Sequence, residues 1–222
     1  MYYNVAIDGP AGAGKSTIAK AVAREMNLIY VDTGAMYRAL ALFLLREKVA
    51  LQDTEEIIRK CAQADITIRY ENGVQVVFLN GENVNGLLRT EEVGNASSVI
   101  SPIPEVRGKM VEIQQALAAG SDCIMDGRDI GTCVLPGAQL KIYLTASSRV
   151  RARRRYDELA AKGVESDLEK IRADIEERDY RDMHREMSPL VQAPDAVLVD
   201  TSEMDVEEVI GTVLELCRKS RP

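Results

Sequence analysis

The chain has 222 residues, of which 46% are hydrophobic and 28% charged, with a formal net charge of −7. That is enough apolar material for one well-buried core, and it fits a soluble globular protein rather than a disordered one. The negative balance argues against non-specific binding to nucleic acid or to an anionic membrane, so a cationic site for any anion has to be local. The four cysteines (Cys61, Cys123, Cys133 and Cys217) include no C-x-x-C pair, and His184 is the single histidine. They read as reduced thiols of a cytoplasmic protein rather than as a zinc site. Strand-like sequence begins at Tyr2, so no secretory leader is expected. The longest apolar run, residues 39–45, is far too short to cross a bilayer.

Residues 3–7 predict a short buried strand, and a helix is predicted over about 15–26. Between them Gly9-Pro10-Ala11-Gly12-Ala13-Gly14-Lys15-Ser16 satisfies G-x-x-x-x-G-K-[ST] in full, with the strand before and the helix after that this motif needs. Glycines let the backbone wrap closely around phosphate oxygens. The consecutive amides and the helix N-terminus then add positive potential. These residues together with Thr17 are the candidate ATP site. Lys15 is expected to reach the β- and γ-phosphates, and Ser16 to place its hydroxyl on Mg²⁺, partly through water.

A second strand is expected at 28–31, followed by helices at about 35–46 and 54–64. The pattern then changes. Residues 66–70 and 74–79 are β-rich and separated by Glu71-Asn72-Gly73, a strong hairpin signal. The hairpin interrupts the alternation of strand and helix, so residues 65–95 read as an insert. Pro102 and Pro104 precede a helix at about 105–119. Strands follow at 123–125 and 140–144, then a long charged and mostly helical stretch, 147–186, broken near Gly163. A last strand (196–199) and helix (206–218) end the series. Short apolar strands alternating with helices predict a parallel sheet covered on both faces.

The phosphate loop alone does not fix the reaction. No N-K-x-D base reader of the GTPase kind occurs. Motor ATPases usually end the second acidic strand in Asp-Glu, whereas this one ends Met125-Asp126-Gly127-Arg128, with no glutamate to activate water. Arginines are plentiful instead. Arg38 and Arg128 follow strand ends, where ligands of open parallel sheets bind. Arg149, Arg151, Arg153, Arg154 and Arg155 crowd one predicted helix start, and a solvated helix with internal ion pairs gives the same pattern. Arg178, Arg181, Asp182 and Arg185 share one helical face. Guanidinium groups are always charged and bind phosphate bidentately, which suits the joining of two phosphorylated substrates. A phosphate acceptor needs no general base, so His184 reads as a solvated helix residue.

Gly9 to Thr17, Asp32-Thr33-Gly-Ala-Met-Tyr-Arg38, Asn95-Ala-Ser-Ser98, Asp126-Gly127-Arg128-Asp129-Ile-Gly-Thr132 and Arg178-Asp-Tyr-Arg181-Asp182-Met-His-Arg185 together resemble the bacterial cytidylate kinases, nucleoside monophosphate kinases of the P-loop superfamily. The resemblance covers nearly the whole chain, in order. It implies an α/β three-layer P-loop sandwich with a five-stranded parallel sheet. The core would comprise about 1–34, 104–148 and 187–222, with an inserted NMP-binding module at about 35–103 and a helical lid at about 149–186. It implies transfer of the ATP γ-phosphoryl to CMP or dCMP with Mg²⁺, by a monomer. Lys15, Arg38, Arg128 and Arg181 would be catalytic, and Arg154 would join the ATP site. Arg38 and Arg128 match arginines that hold the acceptor phosphate, near Asp32, Thr33, Asp126 and Gly127. Ser98, Arg107 and Asp129 match residues around cytosine, Arg178 and Asp182 residues near the sugar, and Arg185 one near the base. Thr33 stands where some members have serine, and Ser16-Thr17 where some have Gly-Thr. UMP, AMP or shikimate as acceptor, or a nucleotide-dependent switch with little catalysis, are the competing readings.

Overall fold

A computed structural model describes residues 2–221. In chain order its elements are β1 (Asn4–Asp8), α1 (Lys15–Met26), β2 (Ile29–Asp32), α2 (Thr33–Arg46), α3 (Thr54–Gln63), β3 (Ile66–Glu71), β4 (Val74–Leu79), the short β5 (Glu82–Asn83), α4 (Glu91–Ile100), α5 (Pro104–Gly120), β6 (Cys123–Gly127), β7 (Leu140–Thr145), α6 (Ser148–Ala161), α7 (Leu168–His184), β8 (Val197–Asp200) and α8 (Val206–Ser220). Five of the strands form one parallel sheet in the order β2-β6-β1-β7-β8. The predicted fold class is the observed one.

The period of two along β1 explains the layers. Val5 and Ile7 face α1 and α8, burying Ile18, Val22, Val209 and Val213. Ala6 points the other way, with Val31 and Met125, against Ala118 of α5. A third core joins α2, α3, α4 and α5 to a separate antiparallel sheet, β3-β4-β5, through Met36, Leu40, Ile57, Val77, Val93 and Met110. The hairpin turn follows from sequence: Asn72 and Gly73 both adopt positive φ, 52° and 76°, as the tight two-residue turn requires.

Strand register fixes where the chemistry can sit. At the carboxyl edge Asp8 lies beside Gly127, and Asp32 beside Asp126. The strand order turns around β1, which pairs with β6 on one side and β7 on the other, so the crevice opens here. Gly9 begins the phosphate loop at φ 149°, and a Cβ there would lie 1.9 Å from the Leu144 carbonyl oxygen.

Three local features depart from the expected elements. The helix α4 forms across the end of the expected 65–95 insert and the five residues after it, where no helix is expected. Thr90 caps it by accepting a hydrogen bond from the Val93 amide (3.3 Å), and Glu91 and Glu92 complement the first turn. The helix α2 starts at Thr33 rather than Ala35, because the Asp32 carboxylate accepts from the Ala35 amide at 2.9 Å. A π-helical turn, Ile130–Val134, follows β6.

Gly9→Ala is expected to lower unfolding free energy by more than about 3 kcal/mol, since the clash is with backbone and cannot be relieved by a rotamer. Urea denaturation checks this; a loss under about 1 kcal/mol contradicts the close approach.

Candidate active site

Two cavities open at the carboxyl edge of the sheet. The first lies between the end of β6, α2, α4 and the second half of α7. The second lies between the phosphate loop, α6 and the start of α8. They share Gly12, Lys15, Ser16 and Arg89 as lining residues.

At the phosphate loop, Lys15 is 5% exposed and its ammonium donates to the carbonyls of Gly9 and Pro10, both at 2.7 Å. Burial, reinforced by the Arg128 charge, holds its pKa well below the usual lysine value, while Asp126 and Asp8 act the other way. The Ser16 hydroxyl donates to Asp126 at 2.8 Å, and Tyr30 donates to the other oxygen of that carboxylate at 2.7 Å. Burial and then the Asp32 charge push the Asp126 pKa up. Thr33 donates to the Asp126 carbonyl at 2.7 Å, tying the start of α2 to the end of β6.

The first cavity brings Arg38, Arg107 and Arg128 onto carboxylates from three parts of the chain. Arg38 donates to both oxygens of Asp32, at 3.1 and 3.0 Å. Arg128 donates to Asp182 at 2.8 Å. Burial raises the Asp182 pKa less than the charge and hydrogen bond of Arg128 lower it, so it sits below the ordinary carboxylate range. Arg107 pairs with Asp129, both buried, and lies over the Tyr37 ring. Arg178 and Arg185 also line this wall. Burial lowers the pKa of both, helped by Arg128 for the first and Arg107 for the second. Arg38 Nε, Arg178 Nε and Arg185 Nη2 are buried without hydrogen-bond partners among the described residues; the last lies 3.7 Å from Asp129, too far for one. Ser98 is on the same wall, its hydroxyl on the Gly94 carbonyl one helical turn back (3.2 Å).

In the second cavity Arg154 donates to the Thr201 carbonyl (2.7 Å) and hydroxyl (3.2 Å). Arg181 reaches neither cavity: its side chain is 56% exposed and 3.7 Å from Glu177. At 100° per residue it lies 60° to one side of Arg178, whereas Asp182, about 40° to the other side, meets Arg128. His184 is exposed and stacked on Tyr180.

Several residues were not singled out from sequence. Arg151 binds Asp179 of α7 at 2.5 Å and the Ala11 carbonyl of the phosphate loop at 3.0 Å, joining α6, α7 and the loop. Gln75 of the hairpin accepts from the Asp32 amide at 2.7 Å and donates to its carbonyl at 3.3 Å, docking that module on β2. Asp8, at the end of β1, accepts from the amides of Ile130 and Gly131, both at 2.7 Å. This fixes the loop that carries Arg128 and Asp129. A polar residue at the end of a buried strand, next to the phosphate loop, was the available signal for Asp8.

A phosphate loop at the edge of a parallel sheet, facing a second cavity rich in arginine, defines a P-loop phosphotransferase. The cytidylate kinase family profile matches residues 5–219. A cytidylate kinase of Geobacillus sp. (strain WCH70) is 47% identical over 96% of this chain and 95% of its own length. One of Desulfitobacterium hafniense (strain Y51) is 49% identical over 96% and 91%. A solved structure of a protein from Eubacterium ventriosum ATCC 27560 shares the fold, with TM-score 0.53 at 10% identity over 99% of both chains. The chain belongs to the cytidylate kinase family.

Burial raises the Asp8 pKa more than its two amide hydrogen bonds lower it, to about 6. Below about pH 4 both folded and unfolded chains carry this proton; between about 4 and 6 only the folded chain does, so rising pH destabilises through this group. Relative to Asp8→Asn, the wild type is expected to lose about 2–3 kcal/mol of unfolding free energy from about pH 4 to about pH 6.5. Urea titrations across that range test it, and a difference independent of pH contradicts it.

Proposed function

We propose that the enzyme transfers the γ-phosphoryl of ATP to CMP or dCMP, giving ADP and CDP or dCDP. The observation that supports this most is the set of three buried, unpaired guanidinium N–H groups of Arg38, Arg178 and Arg185 around one cavity, which call for an anion with several oxygens. The second cavity, with the phosphate loop and Arg154, takes ATP. Because the cavities meet at Lys15 and Ser16, an acceptor phosphate oxygen can face the γ-phosphorus there.

In this reading Arg38 and Arg128 hold the acceptor phosphate and neutralise its repulsion of the triphosphate. Lys15 moves from its carbonyls to the β- and γ-phosphates. The attacking oxygen is already ionised, so positioning and charge suffice without a base. Ser16 and Asp126 supply hard oxygen donors side by side, which suits Mg²⁺ bound jointly with phosphates and water. When bound, that ion neutralises charge developing on the β- and γ-phosphate oxygens. Arg178 and Asp182 face the sugar. The segments 35–103 and 149–186 close over the two nucleotides and exclude water.

Base choice falls to Asp129, Arg107 and Ser98. The Asp129 carboxylate accepts from the exocyclic amine of cytosine, and Arg107 donates to the ring carbonyl. Uracil presents an oxygen where the amine would be, leaving the buried carboxylate against an acceptor. Fixed by Arg107, Asp129 cannot turn away.

Arg38→Ala and Arg128→Ala are each expected to reduce kcat/KM for CMP by at least about 100-fold. Turnover within about threefold of wild type would remove that residue from the phosphate site. Asp129→Asn is expected to narrow the ratio of CMP to UMP turnover at least about tenfold, because an amide can donate to the uracil carbonyl. An acceptor panel of CMP, dCMP, UMP, AMP and shikimate with Mg-ATP measures it. UMP or AMP exceeding CMP in the wild type overturns the cytosine assignment.

A further inference from the structure

Among the described residues, Arg89 is the one outside the phosphate loop that lines both cavities. It stands directly before Thr90, the cap of α4, so its backbone is anchored to the helix that presents Ser97 and Ser98 to the first cavity. Its side chain is loosely held. It is 68% exposed, and its single ion pair among the described residues, to Asp32, is 3.3 Å long. Asp32 is already engaged by Arg38 at two shorter distances and by the Ala35 amide. One carboxylate facing two guanidiniums neutralises only one of them, and an exposed ion pair is weak. Arg89 is therefore a cation that can leave its partner at little cost, at the seam where the two cavities meet.

We propose that Arg89 swings from Asp32 to the oxygens of the transferring phosphoryl group, supplying from the acceptor side the charge that Lys15 supplies from the donor side. The proposal rests on the phosphotransferase reading above. In the step itself an oxygen of the CMP phosphate forms a bond to the γ-phosphorus. The bond between that phosphorus and the β–γ bridging oxygen breaks, and its electron pair stays on ADP. No proton moves, and Arg89 pairs with the equatorial oxygens, whose charge is spread in the loose transition state. Because it rides on α4, Arg89 arrives only when the acceptor module closes. This couples acceptor binding to catalysis and leaves ATP alone without its second cation.

The test compares Arg89→Ala and Arg89→Lys with wild type. It measures kcat and KM for both substrates, binding of CMP and of ATP separately by calorimetry, and binding of an adenosine–cytidine bisubstrate linked by five phosphates. Arg89→Ala is expected to lower kcat at least about 100-fold, with single-nucleotide affinities within about threefold. Bisubstrate affinity is expected to fall more than about tenfold, and Arg89→Lys to recover about tenfold in kcat because a point charge lacks the bidentate fork. A kcat for Arg89→Ala within about threefold of wild type overturns the proposal, as does a loss confined to the KM of one nucleotide. Wild-type turnover of CMP in the same assay separates the two levels. If it is normal while Arg89→Ala is also normal, only the role of Arg89 fails; if wild type does not turn over CMP, the underlying reading fails with it.

Discussion

The constraint on which the rest depends is repulsion among like charges. Six arginines and Lys15 line the first cavity, against four aspartates, in a chain whose formal net charge is −7. Such a surplus of positive charge is costly where water is partly excluded: burial first, and the neighbouring guanidiniums of Arg128 and Arg107 second, lower the pKa of Arg178 and Arg185. The excess is the mirror image of two phosphorylated nucleotides brought head to head. The fold keeps the site charged and open by giving most of its arginines a carboxylate while leaving three guanidinium N–H groups unspent.

The strand ends supply those carboxylates in an order set by sheet register. Asp32 caps α2 and receives Arg38 and Arg89. Asp126 receives Ser16 and Tyr30, linking the phosphate loop to the neighbouring strand. Asp8 holds two amides of the turn beyond β6, so Arg128 and Asp129 are positioned from the central strand. On α7, Asp179 and Asp182 reach Arg151 and Arg128. One helix thus answers to both cavities.

The parts of this arrangement legible in sequence are those with local causes. The phosphate loop carries its own glycines and lysine, the Asn72-Gly73 turn its own left-handed residues, and the sheet its short apolar runs. Arg38 and Arg128 line the first cavity, as expected of arginines that follow strand ends. Arg151 was not separable from its neighbours, since its partners at Ala11 and Asp179 lie far along the chain. Gln75 and Asp8 likewise act through distant backbone amides. The helix α4 had a readable cap in Thr90, Glu91 and Glu92, but the preceding hairpin drew the segment into one insert. Spacing alone gave Arg181 the same face as Arg178, and packing then turned that face so that Arg181 stays in solvent.

The central claim is that one phosphoryl group passes directly between nucleotides held in two cavities that meet at Lys15. The stereochemical course at phosphorus tests it most directly. With ATP made chiral at the γ-phosphorus by sulfur and oxygen isotopes, and CMP as acceptor, a single in-line displacement predicts inversion in the CDP formed. Retention would mean two displacements through a phosphorylated side chain, and would contradict the account.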